Sequence, residues 1–111
     1  MDRIFAALAD PTRRDIVTRV LRAEASVSEL ARRYDMSFSA VQKHVALLER
    51  AELVVKHRRG REQLVSGDVT TIRAAARLLG DFEEIWRGRL GRIDQLLAST
   101  THTGPAEGDP A

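Results

Sequence analysis

Two helix-start signals close together, at Ser26 and at Ser37, constrain this sequence more than any other feature. The run Ser26–Glu29 has the pattern of a capping box, in which the serine hydroxyl and the glutamate carboxylate each accept a hydrogen bond from the other residue's backbone N–H. It predicts a short helix to Tyr34, and Ser37 predicts a second helix that reaches about Arg50. Two short helices with a break of a few residues between them are typical of a helix-turn-helix.

The apolar residues of both helices have the spacing of buried faces. His44 lies at the edge of the inward face of the second helix. We expect it to be partly buried and hydrogen-bonded to the backbone, in preference to contacting a base or a metal ion. The residues expected to face the core are Val27, Leu30 and Ala31 in the first helix and Val41, Val45 and Leu48 in the second.

Two further helices are predicted before this pair. Residues 2–9 carry apolar side chains along one stripe, which is typical of a short amphipathic helix. Asp10 is a good N-cap, and Pro11 suits the first helical position because the N–H that proline lacks would be unpaired there. The second helix then extends to about residue 23.

A change of period after the helix-turn-helix predicts a β-hairpin. The segments 53–57 and 62–65 have the character of strands, and they flank the run Arg58–Arg61. Gly60 in that run can take the positive φ that a tight turn needs. A hairpin directly behind a helix-turn-helix makes a winged helix, so the predicted fold is mostly α with a small β-hairpin.

The predicted second helix of the pair, the recognition helix, carries polar side chains opposite its apolar face. Gln42 can bond to adenine at two points, and Lys43 can donate to guanine. Serine hydroxyls and the helix N-terminus can hold a phosphate, and Phe38 can pack on a thymine methyl group. Polar residues also cover the outer face of any helix in water, so this pattern alone is weak.

The hairpin carries a stronger signal. Four cations fall within six residues with no acid among them, and cations at a hairpin tip repel one another unless a polyanion is present. Such a run is often only a solvated loop, but behind a helix-turn-helix it favours contact with phosphates or the minor groove. The residues expected to contact DNA are Ser37, Phe38, Ser39, Gln42, Lys43, Lys56, Arg58, Arg59 and Arg61.

A long last helix is predicted from about residue 69 to residue 98. Its apolar side chains recur every seven residues, which is typical of a helix that packs along another helix. We therefore expect residues 1–98 to form one DNA-binding domain that dimerises through its first and last helices, although the stripe could partly cover the domain's own core. The expected dimer interface is Ile4, Phe5, Leu8, Leu79, Phe82, Trp86 and Ile93.

The end of the chain and its composition exclude several classes of protein. Residues 99–111 offer almost nothing apolar to bury, so we expect a disordered tail. No apolar run approaches the roughly 18 residues that cross a bilayer, and we see no secretory signal, so we expect a cytoplasmic protein with no membrane partner. No catalytic triad, phosphate-binding glycine loop or isolated carboxylate pair stands out. We therefore predict neither enzyme activity nor a cofactor.

Four motifs occur in order along the chain: Leu8–Arg14, Ser28–Ala31, Ser37–Leu48 with Leu53 and Val54 behind it, and Arg59–Arg61. Together they resemble the ArsR/SmtB family of bacterial winged-helix repressors over about residues 3–98. The resemblance implies a homodimer whose first and last helices form the interface. It also implies that paired recognition helices bind a palindromic operator in double-stranded DNA.

Two departures from the family pattern bear on ligands and geometry. Metal-sensing members carry Cys-Val-Cys-Asp-Leu in the third helix, whereas this chain has Ser26–Leu30, and a hydroxyl does not replace a thiolate as a soft ligand. The alternative site on the last helix needs histidine, and residues 69–98 contain none. The family also tends to have glycine at the end of the recognition helix, where this chain has Glu52.

Dimeric, sequence-specific repression is therefore the predicted function, with no metal site and an unknown effector. Two alternatives remain open. One is a winged-helix module that binds another protein through the stripe around Trp86. The other is a metal-responsive repressor that holds a hard cation with carboxylates such as Asp81 or Glu84.

Overall fold

The structure, a computed structural model, describes the backbone of residues 1–101 and the side chains of residues 1–98. The chain forms two compact units, one of residues 1–75 and one that begins at Ala76. The elements, in chain order, are α1 (Asp2–Leu8), α2 (Pro11–Arg22), β1 (Ala25–Ser26), α3 (Val27–Ala31), α4 (Phe38–Arg50), β2 (Val54–Arg59), β3 (Glu62–Gly67) and α5 (Val69–Thr101). This is the predicted winged helix-turn-helix, with one strand more than expected.

Side chains form hydrogen bonds at the end of α1 and at the start of α2. The Asp10 carboxylate accepts from the backbone N–H of Arg13 at 3.0 Å, with Pro11 at the first position of α2, as predicted. From the first turn of α2, the Arg14 guanidinium donates to the Leu8 carbonyl at the end of α1, at 2.8 Å. Hydrogen bonds at the end of α1 and at the start of α2 therefore stabilise the junction between the two helices.

The capping box of α3 is confirmed. The Ser26 hydroxyl accepts from the Glu29 N–H at 3.0 Å, and the Glu29 carboxylate accepts from the Ser26 N–H at 2.8 Å. The extension of this helix to Tyr34 is wrong, because α3 ends at Ala31. Tyr34 folds back toward α2 instead, where its hydroxyl donates to Asp15 at 2.5 Å.

The sheet has the strand order β1-β3-β2, and both pairs are antiparallel. The predicted turn over residues 58–61 is too long, because Arg58 and Arg59 lie in β2 and Arg59 pairs with Glu62. The connection has two residues and begins at Gly60, whose φ of 63° is the left-handed conformation expected of it. Strand β1 was not predicted, since a strand of two residues has no detectable period.

The core of the first unit lies between α1–α4 and the sheet. All the residues expected to face inward from α3 and α4 do so, although Ala31 is only partly buried. Ser26 is a buried polar residue, and its capping-box bonds satisfy it. The largest fully buried apolar side chains are Ile16, Leu30, Val41, Val45, Leu48, Leu53, Val54 and Val65.

The end of α4 forms a Schellman motif at Glu52. The N–H of Leu53 donates to the Leu48 carbonyl at 3.0 Å, and the N–H of Glu52 donates to the Glu49 carbonyl at 2.9 Å. Leu48 and Leu53 are both buried, which adds the apolar contact that accompanies this motif. Glu52 has a φ of 61°, so a residue with a Cβ occupies the position where glycine is usual.

Helix α5 begins in the first unit and continues through the second. Ala75 is buried, and Ile72 packs against the core of the first unit. The helix extends to Thr101, three residues past the boundary expected at 98, and the rest of the expected tail, residues 102–111, lies outside the described residues. Beyond Ala76 the helix carries a series of exposed apolar side chains, among them Leu79, Phe82, Ile85, Trp86, Leu90 and Ile93.

The strain at Glu52 yields a prediction about stability. We expect Glu52→Gly to raise the free energy of unfolding by about 1 kcal/mol, because glycine adopts a positive φ without the clash that a Cβ causes. Urea denaturation followed by circular dichroism measures the change. Glu52→Ala is the control, since it keeps the Cβ and should give no gain. Equal stability of the glycine and alanine variants would contradict the strain at this position.

Candidate nucleic-acid interface

The N-terminal half of α4 presents an exposed polar face. Burial of Val41 and Val45 on one side leaves Ser39, Gln42 and Lys43 exposed on the other, as predicted. Within the described residues, neither Gln42 nor Lys43 is hydrogen-bonded or ion-paired to another side chain. Both side chains are therefore available to the edges of bases.

The tip of α4 combines a helix cap with an exposed aromatic ring. The Ser37 hydroxyl accepts from the Ala40 N–H at 3.1 Å, which starts the helix and leaves the hydroxyl hydrogen available to a phosphate oxygen. Phe38, the first residue of the helix, is 46% exposed. A large apolar side chain at this position can contact a thymine methyl group.

His44 is partly buried, as expected, but its hydrogen-bond partner is different from the one predicted. Its Nδ1 lies 3.2 Å from Nη1 of Arg13, at the start of α2, so the partner is a side chain and not the backbone. The sequence gives no local indication of this pair, because the two residues lie far apart along the chain and meet only when α2 and α4 pack.

The turn between α3 and α4 is held against α2 by a cluster of three polar side chains. The Asp15 carboxylate accepts from the Tyr34 hydroxyl at 2.5 Å and from Nε of Arg19 at 2.8 Å. The Arg19 guanidinium also lies 5.8 Å from the centre of the Tyr34 ring, within the range of a cation–π contact. These contacts fix the segment that leads into the recognition helix.

The same cluster shifts the pKa values of Asp15 and Tyr34 in opposite directions. The Tyr34 hydroxyl and then the Arg19 guanidinium hold the pKa of Asp15 below its ordinary value, because both donate to the carboxylate. Burial and the hydrogen bond to Asp15 raise the pKa of Tyr34 to about 12. The cluster is therefore most stable with an ionised Asp15 and a neutral Tyr34.

The wing, which consists of β2, β3 and the turn between them, is tied to the body of the first unit at its base. Nζ of Lys56 lies 3.3 Å from the Glu49 carboxylate of α4. Nε2 of His57 lies 3.1 Å from the Glu24 carboxylate, just before β1. Lys56 was expected to contact DNA, but its charge is already paired with a carboxylate.

The tip of the wing carries the remaining cations. Arg58, Arg59 and Arg61 are exposed, and none has an ion-pair partner among the residues that the structure describes. Because successive residues of a strand point to opposite faces, Arg58 and Arg59 project from opposite sides of the wing, and Arg61 lies in the turn. Three unpaired guanidinium groups around one hairpin tip suit phosphate oxygens, which guanidinium binds in a two-point geometry.

Sequence reasoning assigned no individual role to three arginine residues near α4. Arg32 and Arg33 are exposed in the turn that leads to α4, and two adjacent cations between the helices were the available signal. Arg13 was quoted only as part of a motif, yet its side chain contacts α1 and α4. Its position three residues after the Asp10 cap, at a helix junction, was the signal for the contact with α1.

The residues expected in the dimer interface differ in exposure. Ile4 is buried in the core of the first unit, Leu8 packs against that core, and Phe5 is 38% exposed. On α5, the side chains expected at the interface are exposed. Their exposed fractions are 54% for Leu79, 57% for Phe82, 53% for Trp86 and 40% for Ile93.

Within residues 1–101, no three histidine, aspartate or glutamate side chains are grouped as a metal ion needs. No helix in the same range combines the length and the apolar character of a membrane span.

Comparison with known proteins identifies the relatives of this chain. Residues 8–57 match the family model described as "Helix-turn-helix domain". The curated HTH-type transcriptional regulator Rv2034 of Mycobacterium tuberculosis is 37% identical over 98 residues, which cover 88% of this chain and 89% of that protein. The transcriptional repressor SdpR of Bacillus subtilis is 30% identical over 60 residues, which cover 54% of this chain and 67% of that protein.

A solved structure agrees with these relatives. The ArsR-like transcriptional regulator from Rhodococcus sp. RHA1 is 36% identical and superposes with a TM-score of 0.74. The superposition covers 86% of this chain and 90% of that structure. The shared fold therefore extends over nearly the whole length of a known regulator.

The cluster around Asp15 predicts how stability depends on pH. An aspartate whose pKa is lowered in the folded state contributes stability above its unfolded pKa, about 4, and loses it as the pH falls through the folded value. We expect Tyr34→Phe to lower the free energy of unfolding by about 1 kcal/mol at pH 7, because one hydrogen bond to Asp15 is lost. Urea denaturation at a series of pH values measures both effects.

In this series, the gap in the free energy of unfolding between the wild-type protein and Tyr34→Phe should narrow below about pH 4, because Asp15 is protonated in the unfolded chain there. Asp15→Asn serves as the control, since it removes the titrating carboxylate and should flatten the same part of the profile. A gap that stays constant from pH 7 to pH 3 would contradict the role of the Asp15 charge.

Proposed function

The chain belongs to the ArsR family of winged helix-turn-helix transcriptional regulators, and we propose that it acts as a homodimeric repressor that binds an inverted-repeat operator in double-stranded DNA. Proteins of this family are DNA-binding regulators and not enzymes. Repression is supported by the relative from Bacillus subtilis, whose name describes it as a transcriptional repressor.

The observation that carries the proposal is the distribution of charge along the wing. At the base of the wing, Glu49 neutralises Lys56 and the Glu24 carboxylate lies beside His57, whereas the arginine residues of the tip have no ion-pair partner within the described residues. Stability alone does not require three unpaired guanidinium groups at one tip, whereas a phosphate backbone would neutralise them. The wing tip is therefore proposed to contact phosphates or the minor groove beside the site.

The recognition helix is proposed to read the bases. Gln42 and Lys43 are exposed and unpaired within the described residues, and their side chains suit adenine and guanine in the major groove. Ser37 and Ser39 at the tip would hold a phosphate, and Phe38 would contact a thymine methyl group. Lys56 is assigned a smaller role in DNA binding than the sequence suggested, because its ammonium group is paired with Glu49.

The exposed apolar face of α5 supports dimerisation. Leu79, Phe82, Trp86 and Ile93 expose 40–57% of their surface in the single chain, and large apolar patches of this kind mark interaction sites. Pairing of two copies through this face would bury the patch. Two-fold symmetry would then place two recognition helices about 34 Å apart, so that they enter successive major grooves on one side of the duplex.

Selection of binding sites from random DNA, followed by gel retardation with excess competitor, tests the proposed function. We expect an inverted repeat whose half-site centres lie about one helical turn apart. Retardation that vanishes with competitor, or absence of binding at low salt, would contradict the proposal and favour a module that binds another protein. Operator release on adding micromolar Zn²⁺ would revive the metal-responsive alternative.

The wing provides the first prediction about binding. Arg59→Gln with Arg61→Gln should weaken binding to all DNA sequences and make the plot of log affinity against log salt less steep by about two units, one for each phosphate contact. Fluorescence anisotropy at salt concentrations from about 50 to about 300 mM measures the slope, because counterion release dominates the salt dependence in this range. Arg73→Gln with Arg77→Gln is the control, because it makes the same charge change on α5. An unchanged slope in the wing variant would remove the wing from the interface.

The dimer provides the second prediction. Phe82→Ala with Trp86→Ala should raise the dissociation constant of the dimer by about tenfold or more, because large aromatic side chains dominate the energetics of interfaces. Sedimentation velocity over a range of concentrations measures the change, and Arg73→Ala on the same helix is the control. A wild-type protein that stays monomeric at high concentration would contradict the proposed assembly.

A further inference from the structure

The side chain of Arg13 joins three helices. Its Nε donates to the Ala7 carbonyl at 2.7 Å, and its Nη2 donates to the Ala6 carbonyl at 3.4 Å, both near the end of α1. Its Nη1 lies 3.2 Å from Nδ1 of His44 in α4. The planar guanidinium of one residue of α2 thus bonds to the C-terminal end of α1 and to the recognition helix, a set of contacts that we call the Arg13 bridge.

A hydrogen bond between Arg13 and His44 is compatible with only one state of the histidine ring. Arginine has donors only, so a hydrogen bond from Nη1 requires a lone pair on Nδ1 of His44. The ring is then neutral and carries its proton on Nε2. A protonated ring would direct an N–H toward the guanidinium, and the bond would be lost.

The bridge also has an arginine-specific geometry. Its three acceptors are spread around the guanidinium, and the two carbonyls lie at the negative end of the α1 dipole, where a cation is favoured. Lysine has one nitrogen on a flexible chain, and it cannot reach three such acceptors in a fixed plane. The Asp10 carboxylate, which accepts from the Arg13 N–H, holds the first turn of α2 in place.

We propose that Arg13 is a positioning residue for operator recognition, which fixes the rotation of α4 about its axis by holding His44 against the end of α1. This inference rests on the proposed function. His44 directly follows Gln42 and Lys43, so a small rotation of α4 at His44 moves the two side chains that face the bases. Within the described residues, the second polar side-chain link from another element to α4 is the Glu49–Lys56 pair, near the far end of the helix.

A positioning role and a stabilising role predict different effects on DNA binding. If the bridge only stabilises the fold, the folded fraction of a variant binds the operator as the wild-type protein does. If the bridge sets the rotation of α4, affinity for the operator falls and affinity for unrelated DNA does not. The contacts of the wing with phosphates are the same on both kinds of DNA.

The test compares four variants by fluorescence anisotropy, each at a temperature where circular dichroism shows it to be folded. We expect Arg13→Lys and His44→Leu to lower the ratio of operator affinity to non-specific affinity by about tenfold, the scale of one hydrogen bond to a charged group. His44→Asn should keep most of the ratio, because the amide oxygen can take the place of Nδ1 as acceptor. The double variant Arg13→Lys with His44→Leu should lose no more than either single variant, since both remove the same bond.

A second measurement follows the bridge without DNA. In the wild-type protein at pH 8, ¹⁵N spectra of the His44 ring should show an unprotonated Nδ1 and a protonated Nε2. In Arg13→Lys the ring should become a mixture of the two neutral tautomers. A protonated Nδ1 in the wild-type protein would overturn the proposal, whatever the DNA results.

The remaining outcomes separate this inference from the proposed function. Loss of affinity for operator and unrelated DNA in equal proportion, or an unchanged ratio in all variants, would leave Arg13 a purely structural residue and overturn the positioning role. A wild-type protein that binds no DNA sequence selectively would overturn both proposals. In that event the ring spectra would still show whether the bridge exists.

Discussion

The first unit depends on how its short helices satisfy their ends. Helix α3 has five residues and α1 has seven, so most of their peptide groups are terminal and lack a partner within the helix. Asp10, Ser26 and Ser37 supply acceptors at helix starts, and Arg13 and Arg14 supply donors at the end of α1. Each of these contacts also sets the angle at which the chain enters or leaves a helix. The caps therefore determine where the recognition helix begins as well as how stable the fold is.

Local features of this kind could be predicted from the sequence. The capping box at Ser26, the Asp10-Pro11 start of α2, the left-handed Gly60 and the inward faces of α3 and α4 each involve residues a few positions apart. Their geometry depends on the nearby backbone, so a short sequence pattern predicts it without knowledge of the rest of the fold. The position of glycine at the end of α4 was expected from the family pattern, and Glu52 adopts the conformation of that glycine.

Contacts between residues distant in sequence could not be predicted. Tyr34 leaves the helical path because Asp15 lies in another helix, and Lys56 is paired because Glu49 is close to it only in the folded chain. Strand β1 is too short to have a period, and it forms because β3 already presents an edge. The sequence therefore assigned long polar side chains to the DNA interface from their chemistry alone. Only the fold determines which of them are already paired with another side chain. Within the described residues, the fold leaves Gln42 and Lys43 of α4 and the arginine residues of the wing tip available.

The Lys56–Glu49 ion pair at the base of the wing affects how the protein responds to its surroundings. This pair is partly exposed, so dissolved ions weaken it as well as any attraction between the wing tip and a polyanion. Salt therefore loosens the attachment of the wing to the body of the unit at the same time as it screens the tip. Osmotic stress, which concentrates the ions of a cell, would act through the protein scaffold as well as through the solvent around the nucleic acid.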